Sequence, residues 1–459
     1  MIVVKFGGTS VGDAEAIARA ADVVAGRLDR APAVVVSAAG GTTNALLAIA
    51  EQAARGHLIG AVRGVEAVRQ RHLTICDDLL ADAPGGSDTT AEIAAMCDEI
   101  ASLAEALATL GHITPRSLDA VASFGEQMSS LIVTEAFRAR GLPAEHVDAR
   151  TVMITSDHYT EAEPRADVIA ERARDNVGPI IRAGSVPVMG GYIGATQAGV
   201  TTTLGRGGSD YSASLLGAAL DADDIEIWTD VDGMLTADPR VVPEARLIQQ
   251  IRFDEASELA SFGAKVLHPN TIAPAVKRGI PVYIFNSRNP AGTGTRITFD
   301  APRRGVTAIA AKGDITIVKV NAPRMLLAKG FLRAVFEIFE RHRTSVDVVS
   351  TSEVSISVTL DDAEGLDALM VDLRMLGDVS VERDRSVVAI VGSGIGDHGN
   401  CMGRALNALG DIHVHMLSLS ASGINLTVVV DGKARHDAMR ALHAEFFPSL
   451  EVEGPMSTP

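Results

Sequence analysis

Up to about residue 290, short apolar runs alternate with segments in which apolar residues recur every three or four positions. The runs Ile2–Phe6 and Ala33–Ser37 are rich in valine and typical of buried strands. Apolar residues at helical spacing between them predict a helix: Ala14, Ile17, Ala21, Val24 and Leu28. Further strands are predicted at Val186–Met189, Ile225–Thr229 and Pro281–Phe285, and further helices at 118–140, 165–182, 209–220 and 253–263. This alternation predicts a mostly parallel sheet covered by helices.

The last third of the chain contains a weak internal repeat. Residues 350–359 (STSEVSISVT) resemble residues 420–429 (SASGINLTVV). A strand pattern and a helical pattern precede each block: Ile315–Val320 with 331–342, and Val387–Val391 with 400–409. Two β-α-β-β patterns of about 70 residues predict two small ferredoxin-like α+β modules. Two unrelated strand patterns could look alike, and that alternative stays open.

Composition narrows the class of protein. The 459 residues give room for about three domains, and 47% of them are hydrophobic. A net charge of −17 argues against a protein that binds nucleic-acid backbones, which needs a basic face. The three cysteines have no metal-like spacing. No signal-peptide pattern and no run of about 18 apolar residues is visible, so we expect a soluble, cytoplasmic protein.

Two glycine clusters each follow a predicted strand and precede a predicted helix. They are Lys5-Phe6-Gly7-Gly8-Thr9-Ser10 and Ser37-Ala38-Ala39-Gly40-Gly41-Thr42-Thr43-Asn44. Glycine lets backbone N–H groups approach an anion, and a helix N-terminus adds a favourable dipole. Two such junctions at one edge of a parallel sheet would form a ligand crevice. Each could also be an ordinary tight turn.

The segment Thr201–Asp210 (TTTLGRGGSD) has little packing value and much chemistry. Its amides, arginine and aspartate could bind a carboxylate, a phosphate or a cation, although a solvated loop could look similar. Two later segments, Trp228–Met234 and Asp238-Pro239-Arg240, fit a nucleotide loop or a simple acidic turn. No G-x-x-x-x-G-K-[ST] pattern occurs, which excludes a P-loop.

Taken in order, five segments resemble the signatures of aspartate kinases. They are Lys5–Val11 (KFGGTSV), Ser123–Glu126 (SFGE), Thr201–Asp210, Trp228–Arg240 and Phe262–Pro269 (FGAKVLHP). The resemblance implies an α/β amino-acid kinase fold over residues 1–297, a linker over 298–312, and ACT modules over 313–384 and 385–459. Residues 346–354 resemble the effector segment of the monofunctional, lysine-sensitive subtype.

The resemblance implies phosphorylation of L-aspartate by ATP to 4-phospho-L-aspartate, the first step toward lysine, threonine and methionine. It implies Mg²⁺ brought by ATP rather than a metal site of the protein, and L-lysine as the feedback effector. It also implies a homo-oligomer, dimer or tetramer, that associates through the ACT modules. Neither nucleic acid nor membrane is expected as a partner.

Position by position, the resemblance implies roles for individual residues. Catalysis would involve Lys5, Asp210 and Lys265, and ATP would further contact Gly7, Gly8, Ser37, Thr229, Asp230, Leu235, Arg240 and Val266. Arg206 would bind the carboxylate of aspartate and Glu126 its ammonium, with Thr43 and Ser209 completing the pocket. The effector would contact Met325, Phe331, Leu332, Ser345, Val346, Asp347, Thr351, Ser352 and Glu353. Two positions depart from the expected pattern: Leu235 replaces an aromatic residue, and Ala328 replaces a serine.

Two other functions stay open at this point. The same fold could serve a kinase for another amino acid or for an acylated one, although pairing Glu126 with Arg206 favours a free amino acid. The chain could also be a non-catalytic amino-acid sensor. The presence of both lysines, Arg206 and Asp210 argues against that alternative.

Overall fold

A computed structural model describes residues 1–263, 269–326, 328–361, 365–396 and 400–448. The described residues form two compact units. The first unit contains residues 1–234 and 269–301 of the described chain. The second contains residues 235–263 and the described residues from 302 onward. Lys265 and Val266, two of the predicted site residues, lie outside the described residues.

The strands in chain order are β1 (Ile2–Phe6), β2 (Pro32–Val36), β3 (Ala144–Val147), β4 (Ile154–Thr155), β5 (Val186–Gly190), β6 (Ile193–Thr196), β7 (Thr201–Thr203), β8 (Asp224–Thr229), β9 (Gln250–Ile251), β10 (Val282–Asn286), β11 (Thr295–Ile297), β12 (Ala308–Asn321), β13 (Val349–Thr351), β14 (Ser355–Leu360), β15 (Asp378–Val391), β16 (Val414–Leu419) and β17 (Asn425–Asp431).

The α-helices in chain order are α1 (Ala14–Ala25), α2 (Thr42–Ala54), α3 (Leu58–Leu80), α4 (Gly86–Leu110), α5 (Pro115–Ala139), α6 (Ala166–Asn176), α7 (Gly178–Arg182), α8 (Gly208–Ala219), α9 (Phe253–Ser261), α10 (Ala273–Arg278), α11 (Phe331–Arg341), α12 (Leu366–Leu373), α13 (Cys401–Leu409) and α14 (Arg435–Phe446). None of the described helices combines the length and apolarity that a bilayer crossing requires.

The main sheet of the first unit is mostly parallel. Its strands are ordered β3-β5-β2-β1-β8-β10-β11, and only β11 pairs antiparallel. Strand β1 lies between β2 and β8 in parallel register, so Lys5 is beside Val35 on one side and Ile227 on the other. All five residues of β1 are buried, as its apolar run predicts. The carboxyl ends of β1, β2, β5 and β8 therefore share one edge of the sheet.

Two helix predictions in the first unit need correction. The pattern over 165–182 is divided into α6 and α7, because Pro179 in the first turn of α7 cannot donate the backbone hydrogen bond that a continuous helix needs. The pattern that ends at Leu28 overruns α1, which stops at Ala25 and is capped by Gly26. Leu28 lies in a short 3₁₀ turn and is exposed.

The second unit is built on a six-stranded antiparallel sheet in the order β13-β14-β12-β15-β17-β16. The long strands β12 and β15 run antiparallel through its centre, so that Ala308 is opposite Val391 and Asn321 is opposite Asp378. Helices α11 and α12 cover the half that contains β14, and α13 and α14 cover the half that contains β17. Both predicted ferredoxin-like modules are therefore present, each with four strand segments and two helices.

The modules share their central strands. Residues 308–312 of β12 pair with residues 387–391 of β15 and so belong to the second module, although they precede the first in sequence. The predicted linker over 298–312 thus contains the start of a strand. Likewise, the predicted boundary at 384/385 falls inside β15. Both modules depend on pairing between residues 57 to 83 positions apart, from Asn321 with Asp378 to Ala308 with Val391, which local sequence patterns do not report.

Candidate active site

A cavity of about 710 Å³ opens at the carboxyl edge of the first unit's sheet. It is lined by the ends of β1 and β2, by α5, and by the loop that connects β7 to α8. Eight of the predicted site residues line it together: Lys5, Gly8, Ser37, Thr43, Glu126, Arg206, Ser209 and Asp210. Segments far apart in the chain thus meet at the edge predicted for a ligand crevice.

Lys5 supplies a buried positive charge to this cavity. Its side chain is 9% exposed, and its Nζ lies 2.5 Å from Oδ1 of Asp210, in the first turn of α8. The pair joins the end of β1 to the start of α8 across the cavity. The ion pair compensates the burial of both side chains and fixes the position of the Lys5 amine.

The loop after β1 is held by backbone and hydroxyl contacts. The Gly7 N–H donates to the Trp228 carbonyl at 2.9 Å, and the Ser10 hydroxyl lies 2.7 Å from the Ser287 hydroxyl. A Cβ atom at Gly8 would lie 2.8 Å from the Ala38 carbonyl oxygen, so no larger residue fits without a backbone shift. This close approach brings the loops after β1 and β2 together.

Two helices begin at the cavity without a side-chain cap. Gly41 precedes α2 with φ 84°, and Gly207 precedes α8 with φ 71°; neither terminus has a side-chain hydrogen bond. Left-handed backbone of this kind favours glycine. The first N–H groups of a helix lack partners within the helix and carry partial positive charge. The two termini therefore make this wall suitable for an anion.

Glu126 is a buried acid that faces the same cavity. It is 3% exposed, and burial raises the pKa of its carboxyl to about 8, although the backbone N–H groups of Ala38 and Glu126 itself lower it. Its Oε2 atom is buried and has no hydrogen-bond partner. A buried unpaired carboxylate oxygen is costly, and a ligand ammonium would satisfy it.

Arg206 differs from Glu126 in both charge and exposure. It is exposed and lines the cavity, and its guanidinium forms no ion pair with any residue that the structure describes. It follows Gly205, which has φ 73°, in the loop between β7 and α8. A free guanidinium at the rim of a cavity is suited to bind a carboxylate or phosphate through two parallel hydrogen bonds.

The sequence analysis missed Asp119, which lines the cavity about two helical turns before Glu126 on α5. Its buried carboxylate accepts hydrogen bonds from the N–H groups of Thr160 and Thr203 and from the Thr203 hydroxyl. Burial raises the pKa of Asp119 despite these bonds. It ties the loop around Thr160 to β7, three residues before Arg206. A signal was available: Asp119, Ser123, Glu126 and Ser130 place polar groups at helical spacing on the buried face of α5.

The remaining predicted nucleotide residues lie elsewhere. Gly7, Thr229 and Asp230 are at the ends of β1 and β8 but are not among the residues that line the cavity. Leu235 and Arg240 belong to the second unit. Leu235 is partly buried, and the exposed Arg240 donates to both carboxylate oxygens of Asp238.

The predicted effector residues lie in the first module of the second unit. Met325 ends a short 3₁₀ turn, Phe331 and Leu332 begin α11, and Thr351 ends β13. Ser345, Val346 and Asp347 lead into β13, and Ser352 and Glu353 form the turn to β14. Most of these side chains are exposed, Asp347 among them, and Asp347 also lines a cavity of about 440 Å³ with Lys312 and Asp361. Partial desolvation in this cavity raises the pKa of Asp347, and Lys312 opposes that effect.

Residues 1–286 match the amino acid kinase family, and residues 388–446 match an ACT domain. The chain is 37% identical over 456 residues to the lysine-sensitive aspartokinase 3 of Escherichia coli strain K12, covering 97% of this chain and 99% of that protein. Chloroplastic aspartokinase 1 of Arabidopsis thaliana is 34% identical over 470 residues, covering 98% of this chain and 81% of that protein.

Two crystal structures of the E. coli aspartokinase III are similar to this chain over its length. The complex with aspartate and ADP, in the R-state, has a TM-score of 0.85 at 37% identity and covers 97% of this chain and 100% of the other. The complex with lysine and aspartate, in the T-state, has a TM-score of 0.81 at the same identity and covers 97% and 99%.

Proposed function

This chain belongs to the aspartokinase family and is an aspartate kinase, and we propose that the cavity around Lys5, Glu126 and Arg206 is its catalytic site. There the γ-phosphoryl group of ATP passes to the side-chain carboxylate of L-aspartate. The products are 4-phospho-L-aspartate and ADP, which is the chemistry expected of the first step toward lysine, threonine and methionine.

The observation that carries this assignment is the unpaired Oε2 of Glu126. A free amino acid presents an ammonium that can satisfy this buried oxygen and an α-carboxylate that Arg206 can bind. Thr43 and Ser209 line the same cavity and can complete the pocket. An N-acylated substrate has no ammonium and would leave the buried acid unpaired, which disfavours it.

The phosphoryl side of the reaction needs positive charge rather than a base. The attacking carboxylate of aspartate has an ordinary pKa of about 3.9 and is already ionised. The barrier lies in bringing it to a polyphosphate, so positioning and charge stabilisation dominate. Lys5, which Asp210 holds in place, faces the phosphoryl group that is transferred. The backbone amides of Gly7, Gly8 and the residues after Ser37 contact phosphate oxygens.

The rest of the nucleotide site is assigned by family resemblance. Thr229 and Asp230, at the end of β8, together with Leu235, Arg240, Lys265 and Val266, would contact the nucleotide. Mg²⁺ prefers a few carboxylate and phosphate oxygens. The described residues hold no cluster of three possible metal ligands. The triphosphate would therefore supply most of the oxygen ligands of the ion, and the carboxylate of Asp210, beside Lys5, is a suitable protein ligand. When bound, the ion would neutralise charge on the phosphates.

We propose that L-lysine inhibits the enzyme through the first module. Gly330, with φ 84° and open space around its Cα, lets a ligand approach the start of α11. Asp347 and Glu353 supply carboxylates for a cationic amino acid. The ligand can inhibit only by binding an inactive state better than an active one. Apolar side chains exposed on the same module, Leu326, Leu332, Phe336, Val349 and Val354, support association of the chain into a dimer or tetramer through this region.

ADP release measured by a coupled assay tests the catalytic assignment. L-Aspartate should support turnover, whereas N-acetyl-L-aspartate and L-glutamate should support far less. Turnover with the acetylated compound would exclude the role given to Glu126. Saturable aspartate binding by calorimetry without any ADP release would instead identify a non-catalytic sensor.

A further inference from the structure

Arg71, on α3, contacts both glycine loops of the proposed phosphate site from outside the cavity. One terminal nitrogen of its guanidinium donates to the Gly40 carbonyl at 2.5 Å, and the other donates to the Gly12 carbonyl at 2.9 Å. Gly12 ends the 3₁₀ turn Gly8–Val11 that follows β1, and Gly40 lies in the loop that follows β2. A single side chain therefore joins the two loops.

The loops have one further link close to this one. The Gly40 N–H donates to the Gly8 carbonyl at 2.9 Å. The peptide groups at Gly40 are thus held on both sides, by Gly8 at the N–H and by Arg71 at the carbonyl. Gly8, Gly40 and Gly41 line the catalytic cavity, whereas Arg71 lies against α2 beside a separate apolar cavity. The arginine holds the loops from behind their ligand-facing surface.

The direction of the Gly40 carbonyl determines where the next amide points. In a trans peptide the carbonyl and the N–H that follows it point to opposite sides. Because Arg71 holds the Gly40 carbonyl, the Gly41 N–H points away from the arginine. Gly41 immediately precedes α2, whose uncapped N-terminus faces the cavity. A charged donor on the carbonyl also polarises the peptide group and strengthens its N–H as a donor.

We propose that Arg71 is a positioning residue that holds the loops after β1 and β2 so that their N–H groups bind the triphosphate. This inference rests on the proposed phosphate site and adds a residue that does not touch the ligand. A lysine cannot replace it, since one ammonium on a flexible stem does not fit two divergent carbonyls as a planar guanidinium does. Misplacement by about 1 Å can cost roughly 10²-fold in rate.

Binding of MgATP, measured by calorimetry, tests the inference without requiring phosphoryl transfer. We expect Arg71→Met to weaken MgATP binding by roughly tenfold or more and Arg71→Lys to lose a large part of that affinity, with a smaller effect on KM for aspartate. Arg69→Met is the matched control. Arg69 lies on the same helix and donates to Asp98 and to the Ala94 carbonyl on α4, so its loss should leave MgATP binding near wild type.

Chemical rescue separates positioning from a general effect on folding. Guanidinium ions at low millimolar concentration should partly restore MgATP binding to Arg71→Ala and leave Arg69→Met unchanged. Should Arg71→Met fail to fold, Arg71→Lys carries the comparison.

Three results would overturn the proposal. The first is an MgATP affinity within about twofold of wild type in the folded Arg71 variants. The second is a loss of MgATP affinity in Arg69→Met equal to that in Arg71→Met. The third is full MgATP affinity in Arg71→Lys, which would mean that charge alone suffices. If the wild-type protein binds MgATP but releases no ADP with aspartate, the proposed substrate is refuted instead. The role of Arg71 can then still be tested by comparing MgATP binding among the variants.

Discussion

Replacing Glu126 with glutamine should stabilise the first unit and at the same time weaken the binding of aspartate. Burial raises the pKa of the Glu126 carboxyl from about 4.5 to about 8, so between these values the folded protein holds a proton that the unfolded chain has released. The free energy of unfolding therefore falls as pH rises through this window. At pH 7 the cost is on the order of 3 kcal/mol, since one pKa unit corresponds to about 1.4 kcal/mol.

The same pKa predicts how aspartate use depends on pH. Only the ionised carboxylate binds an ammonium well, and at pH 7 only about a tenth of the Glu126 carboxyls in the free enzyme are ionised. The value of kcat/KM for aspartate should rise by roughly tenfold per pH unit below pH 7 and level off above pH 8. Glu126→Gln should lose this slope along with most of the affinity for aspartate.

Urea unfolding and steady-state kinetics between about pH 5 and pH 8.5 measure both effects. Glu161→Gln is the matched control, because Glu161 lines the same cavity but is exposed. We expect the stability of Glu126→Gln to exceed that of wild type by a margin that grows with pH, and the control to show no such trend. The reasoning fails if wild-type stability rises from pH 5 to pH 8, or if Glu126→Gln retains the pH slope of kcat/KM.

The other predictions concern the charge of Lys5, the planar guanidinium of Arg206, the close packing at Gly8 and the effector site. Lys5→Ala should lower kcat by roughly 10²–10³-fold or more with folding intact, and turnover within about tenfold of wild type would remove Lys5 from the mechanism. Arg206→Lys should raise KM for aspartate far more than KM for ATP, and equal damage to both would indicate a role in shaping the site. Gly8→Ala should raise KM for ATP more than Gly7→Ala. A Cβ atom at Gly8 would lie 2.8 Å from the Ala38 carbonyl oxygen, whereas one at Gly7 would lie 3.5 Å from its nearest neighbour, the Trp228 carbonyl oxygen. Asp347→Ala and Glu353→Ala should each relieve inhibition by millimolar lysine at nearly unchanged basal kcat, and inhibition by threonine instead of lysine would refute the subtype.

Several residues that the sequence analysis selected line one cavity, because the signals that selected them are local. A valine-rich run followed by Gly-Gly predicts both the strand β1 and the loop that follows it, and parallel pairing brings such loops to one edge. Lys5 and Gly8 therefore line the cavity as expected. The motif around Arg206 was informative as well, because Arg206, Ser209 and Asp210 line the same cavity.

What the sequence could not show depends on contacts between distant segments. Arg71 is an ordinary helical arginine in sequence, and its role appears only when α3 is packed beside the two loops. The strands β12 and β15 exchange partners between modules through long-range register. By contrast, the break before α7 was predictable, because Pro179 lies inside the helical pattern.

The electrostatics of the cavity must be local, because the whole chain carries a net charge of −17 and ATP is itself an anion. At physiological ionic strength, screening over about 8 Å removes most of the repulsion from distant surface acids. Inside the cavity, the buried amine of Lys5 and the N-termini of α2 and α8 lie in a medium where charges interact more strongly. Asp210 holds the Lys5 amine in place, and the protonated form of Glu126 adds no negative charge until an ammonium arrives. At neutral pH the free site therefore favours the triphosphate, and the acid that recognises aspartate stays mostly uncharged until its partner is bound.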